Sequence, residues 1–414
     1  MKVEIITIGD ELLIGHTADT NAQWMARFLS DQGHRVQRIT SLPDRPEAIV
    51  GELAAAQKRS SAVLVTGGLG PTRDDVTRRA IEQFFNVPWQ MNDQVYRRLE
   101  TYLAERGYGV SRLNREQAKT PKGARVFINQ VGTAPGLGLE KDGCRYYFMP
   151  GVPAEMRDLM EKAVSGALNP PDGDECYRYQ IVVTQGLPEA HLAQELKDYE
   201  ENLPDQLDLA YLPGSGLVRI RLSGRGNDEG YLLQLLNEKL TELEALASPY
   251  IVHIGEEPLE QLIGQKLAGL DRTLATAESC TGGSIAQRIT SVPGSSRYFK
   301  GSAIAYSNGI KMRLLGVAET TLDKYGAVSR QVVEEMARGA LDLFQVEYAV
   351  AVSGIAGPTG GTTTKSVGTT WIAVASEKGV VARWFVFGKD RVLNIEKATN
   401  TALVLLKRRI WEEI

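Results

Sequence analysis

Short apolar runs, each ending in a glycine-containing turn and followed by a helical segment, recur along this chain and limit it to α/β architecture. Residues 3–8 run apolar into Gly9-Asp10-Glu11, and a helix is expected over about 20–32. Residues 62–66 lead into Gly67-Gly68-Leu69-Gly70-Pro71, with a helix expected over about 75–85. Residues 146–149 form a third run, and Pro153 opens a helix to about residue 164. The pattern predicts a mostly parallel sheet covered on both faces. Ligands of such folds sit at the carboxyl ends of the strands, where all three of these loops lie.

The pattern breaks twice. Leu168-Asn169-Pro170-Pro171-Asp172-Gly173-Asp174 reads as a linker, and Gly255-Glu256-Glu257-Pro258 as a second. Between them the order is strand, helix, strand, strand, helix, strand, which is the split βαβ order of ferredoxin-like domains. After residue 258 the alternation resumes, with strands expected near 273–277, 302–305, 348–352, 369–375 and 382–387 and a closing helix over about 392–411. At 414 residues the chain is too long for one ordinary core. The expected division is 1–168, 174–254 and 256–414: two three-layer α/β domains joined by a small α+β domain.

Lys and Arg number 47 against 51 Asp and Glu, with no long basic block, which argues against direct nucleic-acid binding. No apolar stretch has the length of a membrane span, and the amino terminus enters a strand without a signal-type segment, so a cytoplasmic protein is expected. Cys144, Cys176 and Cys280 have neither zinc spacing nor a disulfide framework. The histidines, at 16, 34, 191 and 253, are more decisive: none follows residue 253. A Ser-His-Asp triad within the last domain is therefore excluded.

That exclusion matters because Ala277-Glu278-Ser279-Cys280-Thr281-Gly282-Gly283 joins a strand to a helix. A sharp turn there presents a nucleophile above a sheet, with amides at the helix start expected to be free as an oxyanion hole. Either Ser279 or Cys280 can serve, and an ordinary capped turn is the plain alternative. A thiol needs a lowered pKa, usually from a histidinium or a helix start. A serine here needs a Lys, a Tyr, a carboxylate, or a group from another domain or subunit as its base. Lys311 and Tyr306 are the nearest candidates, although a surface helix explains a lysine equally well. A second glycine-containing loop, Ser353-Gly354-Ile355-Ala356-Gly357-Pro358, leaves another strand and offers Ser353 and Gly354 to a carboxamide or phosphate. Thr281 and Gly283 add donors, and Lys365 lies in a loop able to close over a ligand.

In the first domain, Gly67, Gly68, Gly70 and Thr72 belong to a loop suited to phosphate through inward-turned amides. It lacks the Gly-Lys-Ser or Gly-Lys-Thr of a Walker A loop. Asp74 and Asp75 beside phosphate make sense with a divalent cation between them, or else as helix caps. Glu11, Asp10 and Glu155 fall at the same sheet edge as further ligands or bases, and His16 is near. The middle domain offers no chemistry; Arg219, Arg221 and Arg225 read as a solvated face.

Several motifs in fixed order carry a resemblance. Residues 277–283, Tyr306-Ser307-Asn308-Gly309-Ile310-Lys311, Gly326-Ala327-Val328-Ser329 and Val352-Ser353-Gly354-Ile355-Ala356-Gly357-Pro358 resemble the carboxy-terminal domain of the CinA family. Gly9-Asp10-Glu11, Asp19-Thr20-Asn21, the 67–77 loop, Ala134-Pro135-Gly136 and residues 149–156 resemble its molybdopterin-binding-like amino-terminal domain. The middle region is similar to the family's KH-like segment, but no Gly-x-x-Gly loop with basic flanks is present.

The resemblance implies a nicotinamide mononucleotide amidase in the last domain, without cofactor. Ser279 aligns with the functional serine, Cys280 packs beneath it, and Arg391 binds substrate. It also implies ADP-ribose pyrophosphate hydrolysis in the first domain, with a divalent metal held by Asp75, Asp74 and Glu11. A homodimer is expected. A competence or recombination accessory role is the non-enzymatic alternative.

Overall fold

A computed structural model describes residues 2–70, 75–168 and 176–413. Thr72, Asp74 and most of the first expected linker lie outside these residues. Two compact units emerge, Met1–Arg178 with Gly224–Gln234, and Tyr179–Ser223 with Leu235–Ile414.

The first unit is built on β1 (Lys2–Ile8), β2 (Arg35–Leu42), β3 (Ala62–Thr66), the short pair β4 (Trp89–Met91) and β5 (Lys119–Pro121), β6 (Arg125–Phe127), β7 (Gly136–Lys141) and β8 (Cys144–Met149). Its main sheet runs β2-β1-β3-β8-β7-β6. The first four strands are parallel, β7 runs antiparallel to β8, and β6 antiparallel to β7. Alternate residues of β1 fill opposite cores: Val3 and Ile5 pack with Met25 and Leu29, while Ile6 and Ile8 pack with Ile49 and Leu53. The parallel register ends with Thr7 opposite Thr66 and Thr66 opposite Met149. The loops after β1, β3 and β8 therefore share one edge, as the alternation requires. The helix expected from residue 75 begins at Thr77.

The middle segment supplies β9 (Cys176–Thr184), β10 (Leu207–Pro213), β11 (Val218–Gly226) and β12 (Ile251–Ile254). Their order, β10-β11-β9-β12, is the ferredoxin-like order read from the far edge. Ile181, Val183 and Val252 pack in the same buried cluster as Leu259, Ile263 and Leu267 of the following segment. The chain thus crosses residues 255–258 without leaving a shared core.

The last sheet comprises β13 (Leu274–Glu278), β14 (Phe299–Ile304), β15 (Tyr348–Gly354), β16 (Thr369–Ser376) and β17 (Gly379–Val386), in the order β14-β13-β15-β16-β17. β13 lies parallel between β14 and β15, and β16 and β17 are antiparallel. One face packs on the long helix Arg391–Glu412, the other on the helix Arg330–Phe344. β13 ends with Glu278 opposite Val352 and Ile304. Ser279 therefore emerges at the carboxyl edge between the 305–311 and 353–358 loops, in line with the strand-end rule.

Candidate active site

The turn after β13 is fixed by its own backbone. The Ser279 amide donates to the Val352 carbonyl (3.0 Å), and the Gly282 amide donates to the Ser279 carbonyl (3.1 Å). Gly282 and Gly283 take φ of 63° and 100°, a left-handed pair that side chains resist. The helix Ser284–Thr290 starts immediately after.

One expectation is overturned here. The amides at this helix start are not free. The Glu278 carboxylate, fully buried, accepts from Gly283 (3.0 Å), Ile285 (3.1 Å) and Ala286 (2.8 Å), with the Thr276 hydroxyl at 3.3 Å. A carboxylate on the chain itself fills the place an anionic ligand would take. Gly283 is thereby withdrawn from the substrate donors. Glu278 stands in the sequence motif, but nothing in the sequence distinguished its role from that of a strand-end residue.

The expected nucleophile and base do meet. Lys311, 1 % exposed, places Nζ 3.0 Å from Ser279 Oγ, 2.8 Å from the Ala305 carbonyl oxygen and 3.5 Å from that of Tyr306. Among the described residues no carboxylate contacts the amine, and burial pushes its pKa below the ordinary lysine value. Nζ donates to the two carbonyls and to Ser279 Oγ; in the neutral amine the last contact reverses, the hydroxyl donating to the lone pair. The Ala305 amide in turn donates to the Glu278 carbonyl (2.8 Å). Three hydrogen bonds thus link Glu278, Ala305, Lys311 and Ser279 in series, and the Glu278–Ser279 peptide bond completes the circuit.

Cys280 behaves differently. It is buried, and burial pushes its thiol up to about 12, so the thiolate needed for nucleophilic attack is suppressed. A Cβ on Gly354 would lie 2.9 Å from its sulfur and 2.7 Å from Thr370 Oγ1, so glycine is required there.

Tyr306 is 61 % exposed and points away from the base; its hydroxyl accepts from Arg391 Nη2 (3.0 Å). Arg391 Nη1 donates to the Gly357 carbonyl (2.9 Å). The exposed arginine and tyrosine form a polar rim, and the Tyr306 hydroxyl bonds to Arg391 while only its backbone carbonyl faces Lys311 Nζ. The Ser353 hydroxyl, buried, donates to the Ala327 carbonyl (2.7 Å) and so ties the end of β15 to the 326–329 turn. Lys365 donates to the Tyr325 carbonyl (2.7 Å). Thr281 is 3 % exposed, and its hydroxyl has no partner among the described residues.

The first unit has its own cavity of about 440 Å3, lined by Glu11, Asp44, Gly67, Gly68, Gly70, Asp75 and Glu155 among others. Asp75 accepts the Gly70 amide (2.9 Å), which closes the glycine-rich loop on itself. Thr77 Oγ1 donates to the Gly67 carbonyl (2.8 Å). Asp44, absent from the expected set, accepts the Asp10 amide (2.9 Å). Burial raises its pKa, and the charges of Asp10, Glu11 and Asp75 raise it further. Glu155 is likewise raised by burial, held by Asn129. His16 is exposed. Among the described residues no three acidic, histidine or cysteine side chains are close enough to hold a metal as a set.

Among the described residues no helix is long and apolar enough to cross a membrane. Comparison with known proteins follows the three segments in order. The probable molybdopterin binding domain matches residues 4–170, the damage-inducible protein CinA KH domain 180–252, and the CinA C-terminal domain 256–410. The chain is similar to a CinA-like protein of Flavobacterium psychrophilum, at 40% identity over 99% of each chain. A putative competence-damage inducible protein of Caldicellulosiruptor saccharolyticus is 36% identical, again over 99% of each. The crystal structure of competence/damage inducible protein CihA from Agrobacterium tumefaciens covers 36% of this chain and 94% of its own, at 36% identity and a TM-score of 0.34. With relatives matched from end to end and all three segments in their order, the chain belongs to the CinA family.

Proposed function

We propose that the last domain hydrolyses the carboxamide of nicotinamide mononucleotide to nicotinate mononucleotide and ammonia. The observation that supports this reading most is the 3.0 Å contact between Lys311 Nζ and Ser279 Oγ, inside a site where no histidine follows residue 253. Ser279 Oγ attacks the amide carbon while its proton passes to the lone pair of Lys311 Nζ. The ammonium so formed returns a proton to the departing nitrogen, and ammonia leaves an acyl-serine. Water then attacks the ester, giving a proton to Lys311, and the ammonium returns that proton to Ser279 Oγ as the acyl bond breaks, leaving nicotinate mononucleotide, free Ser279 and the neutral amine. Arg391, on the exposed rim, suits the ribose phosphate through its planar donor fork. The two carbonyls on Nζ orient the lone pair toward Oγ, so base and nucleophile are aligned before substrate arrives.

The first domain is read as an ADP-ribose pyrophosphate hydrolase. Glu11, Asp44 and Asp75 offer hard oxygen donors around a cavity with room for phosphates. Because the described carboxylates do not converge as a trio, a Mg2+-type ion fits there through one or two of them together with substrate oxygens. When bound, such an ion supplies charge neutralisation for the pyrophosphate. The cavity residues bind and orient the nucleotide.

Purified full-length protein incubated with nicotinamide mononucleotide should release ammonia and nicotinate mononucleotide, and Ser279→Ala should not. Wild-type protein that leaves the amide intact would remove this reading.

A further inference from the structure

A cavity of about 550 Å3 lies inside the second compact unit, separate from the residues placed in the candidate active site. The middle sheet closes it on one side with the β10–β11 hairpin, Arg219 and His253. The helices Ser284–Thr290 and Arg391–Glu412 close it on the other. These two helices begin at the nucleophile turn and at Arg391, respectively. The cavity is thus walled by the elements that position the serine and the rim arginine.

A polar bridge already joins the walls. Arg288 donates to Asn400 Oδ1 (3.1 Å), and Asn400 Nδ2 donates to the Ser215 carbonyl in the hairpin (2.8 Å). Arg288 is neutralised by both oxygens of Glu260, at 2.7 and 2.6 Å. What remains in the lining is unbalanced. Glu257 and Glu396 are exposed at the rim, Glu396 accepting from the Ser215 hydroxyl, and Arg219 is the lining cation with no such carboxylate pair among the described residues. Two inner polar atoms lack partners among the described residues: the hydroxyl of Thr399, a residue only 1 % exposed, and Nδ1 of His253. His253 Nε2 lies 2.9 Å from the Glu257 carbonyl and donates to it, which leaves Nδ1 as an acceptor. Burial, then the charge of Lys407, with Arg219 adding less, lowers the pKa of this ring against the opposing pull of Glu257. A buried acceptor and hydroxyl without partners are costly unless a ligand meets them.

The lining carries no aromatic ring other than the His253 imidazole, so a stacked base has little platform. Its charges ask for one carboxylate, at Arg219, and for more than one cationic group, at Glu257 and Glu396. We propose that this cavity binds a basic α-amino acid, and that the middle domain senses it for the amidase through the two shared helices. The α-carboxylate lies on Arg219, and the α-ammonium and side-chain cation face the rim carboxylates. Thr399 and His253 Nδ1 accept the remaining N–H groups. The ligand site stands on its own geometry; only its effect on amide hydrolysis rests on the function proposed above.

Titration calorimetry of the full chain with L-lysine, L-arginine, L-glutamate and putrescine tests it. At least one basic amino acid should bind once per chain. L-Glutamate should not bind, and putrescine, which lacks the carboxylate, should bind at least about tenfold more weakly, ~1.4 kcal/mol. Arg219→Ala, an exposed change, and Thr399→Val, a change of equal shape, should each weaken binding about tenfold or more. Absence of binding by both basic amino acids, binding that survives both substitutions, or equal binding of putrescine would overturn the site. Binding that leaves the kcat and KM of amide hydrolysis unchanged would overturn the sensing role. Binding by a protein that hydrolyses no amide would count against the proposed activity and not against the site.

Discussion

Lys311 Nζ stands 3.0 Å from Ser279 Oγ, held there by the Ala305 carbonyl at 2.8 Å and, among the described residues, with no carboxylate in contact. The pair is set before any substrate arrives. Ser279→Ala should therefore lower amide turnover by about 10⁴-fold or more, the scale on which loss of a nucleophile is felt. Cys280→Ala should cost less than about tenfold, because its thiol is buried and pushed up to about 12. Turnover that survives Ser279→Ala and disappears in Cys280→Ala would transfer the nucleophile to the thiol.

The same contact fixes a pH dependence. The active form needs the neutral amine, so kcat/KM should rise with pH and level off. The midpoint should lie below the ordinary lysine value of 10.5, since burial lowers the Lys311 pKa. Stability follows the same sign. The unfolded chain holds the Lys311 proton at pH values where the folded chain releases it, so stability rises with pH across that window. The cost of burying the amine is greatest at low pH and vanishes in the ordinary lysine range. Lys311→Met should abolish turnover yet stabilise its unit by about 1 kcal/mol at neutral pH, a typical gain when one functional strain is removed. Thermal unfolding across a pH series reads this directly; a stabilisation that grows with pH would contradict it.

Glu278 gives a third expectation. Its carboxylate holds three amides of the turn, and its carbonyl holds Ala305, which in turn holds Lys311. Glu278→Gln keeps the shape but turns one acceptor into a donor facing an amide. Turnover per titratable serine should fall about 10- to 100-fold with KM little changed, as expected when a reacting pair drifts by a fraction of an ångström. Titrating Ser279 with a fluorophosphonate separates this from simple loss of folded protein. An unchanged kcat per labelled serine would reduce Glu278 to a structural cap.

Much of this was legible in residue order. Alternating apolar runs gave the parallel sheets because covered strands need apolar residues on both faces, as Val3, Ile5, Ile6 and Ile8 show. The missing histidine singled out Lys311 as a base worth testing, and Ser279 meets it. What sequence could not supply was the destination of hydrogen bonds. Glycines beside a helix start read as free amides, whereas Glu278 occupies them. The bond from the Ser353 hydroxyl to the Ala327 carbonyl was likewise invisible in residue order. Asp44 was missed because it follows a proline in a loop after β2 and joins Glu11 and Asp75 only through folding. Likewise, a Gly-Glu-Glu-Pro break reads as a linker, while the apolar contacts of Val252 and Leu259 across it are visible only in three dimensions.

The two proposed activities should separate by metal. Serine attack with lysine as base needs no cation, whereas pyrophosphate bears charge that Glu11, Asp44 and Asp75 would repel without one. EDTA should silence ADP-ribose cleavage and spare amide hydrolysis. Asp75→Asn should act like EDTA on the first activity, lowering it about 100-fold or more. Its amide oxygen can still accept the Gly70 N–H, now made by Asp75 at 2.9 Å, so the loop should keep its form while the negative charge is lost. Asp44→Asn should weaken the metal response by a smaller factor, raising the Mg2+ concentration needed for half-maximal cleavage. Neither substitution should alter kcat for the amide. Equal loss of both activities under chelation would defeat the assignment of two independent sites, and ADP-ribose cleavage that persists in EDTA would take the cation out of the first domain.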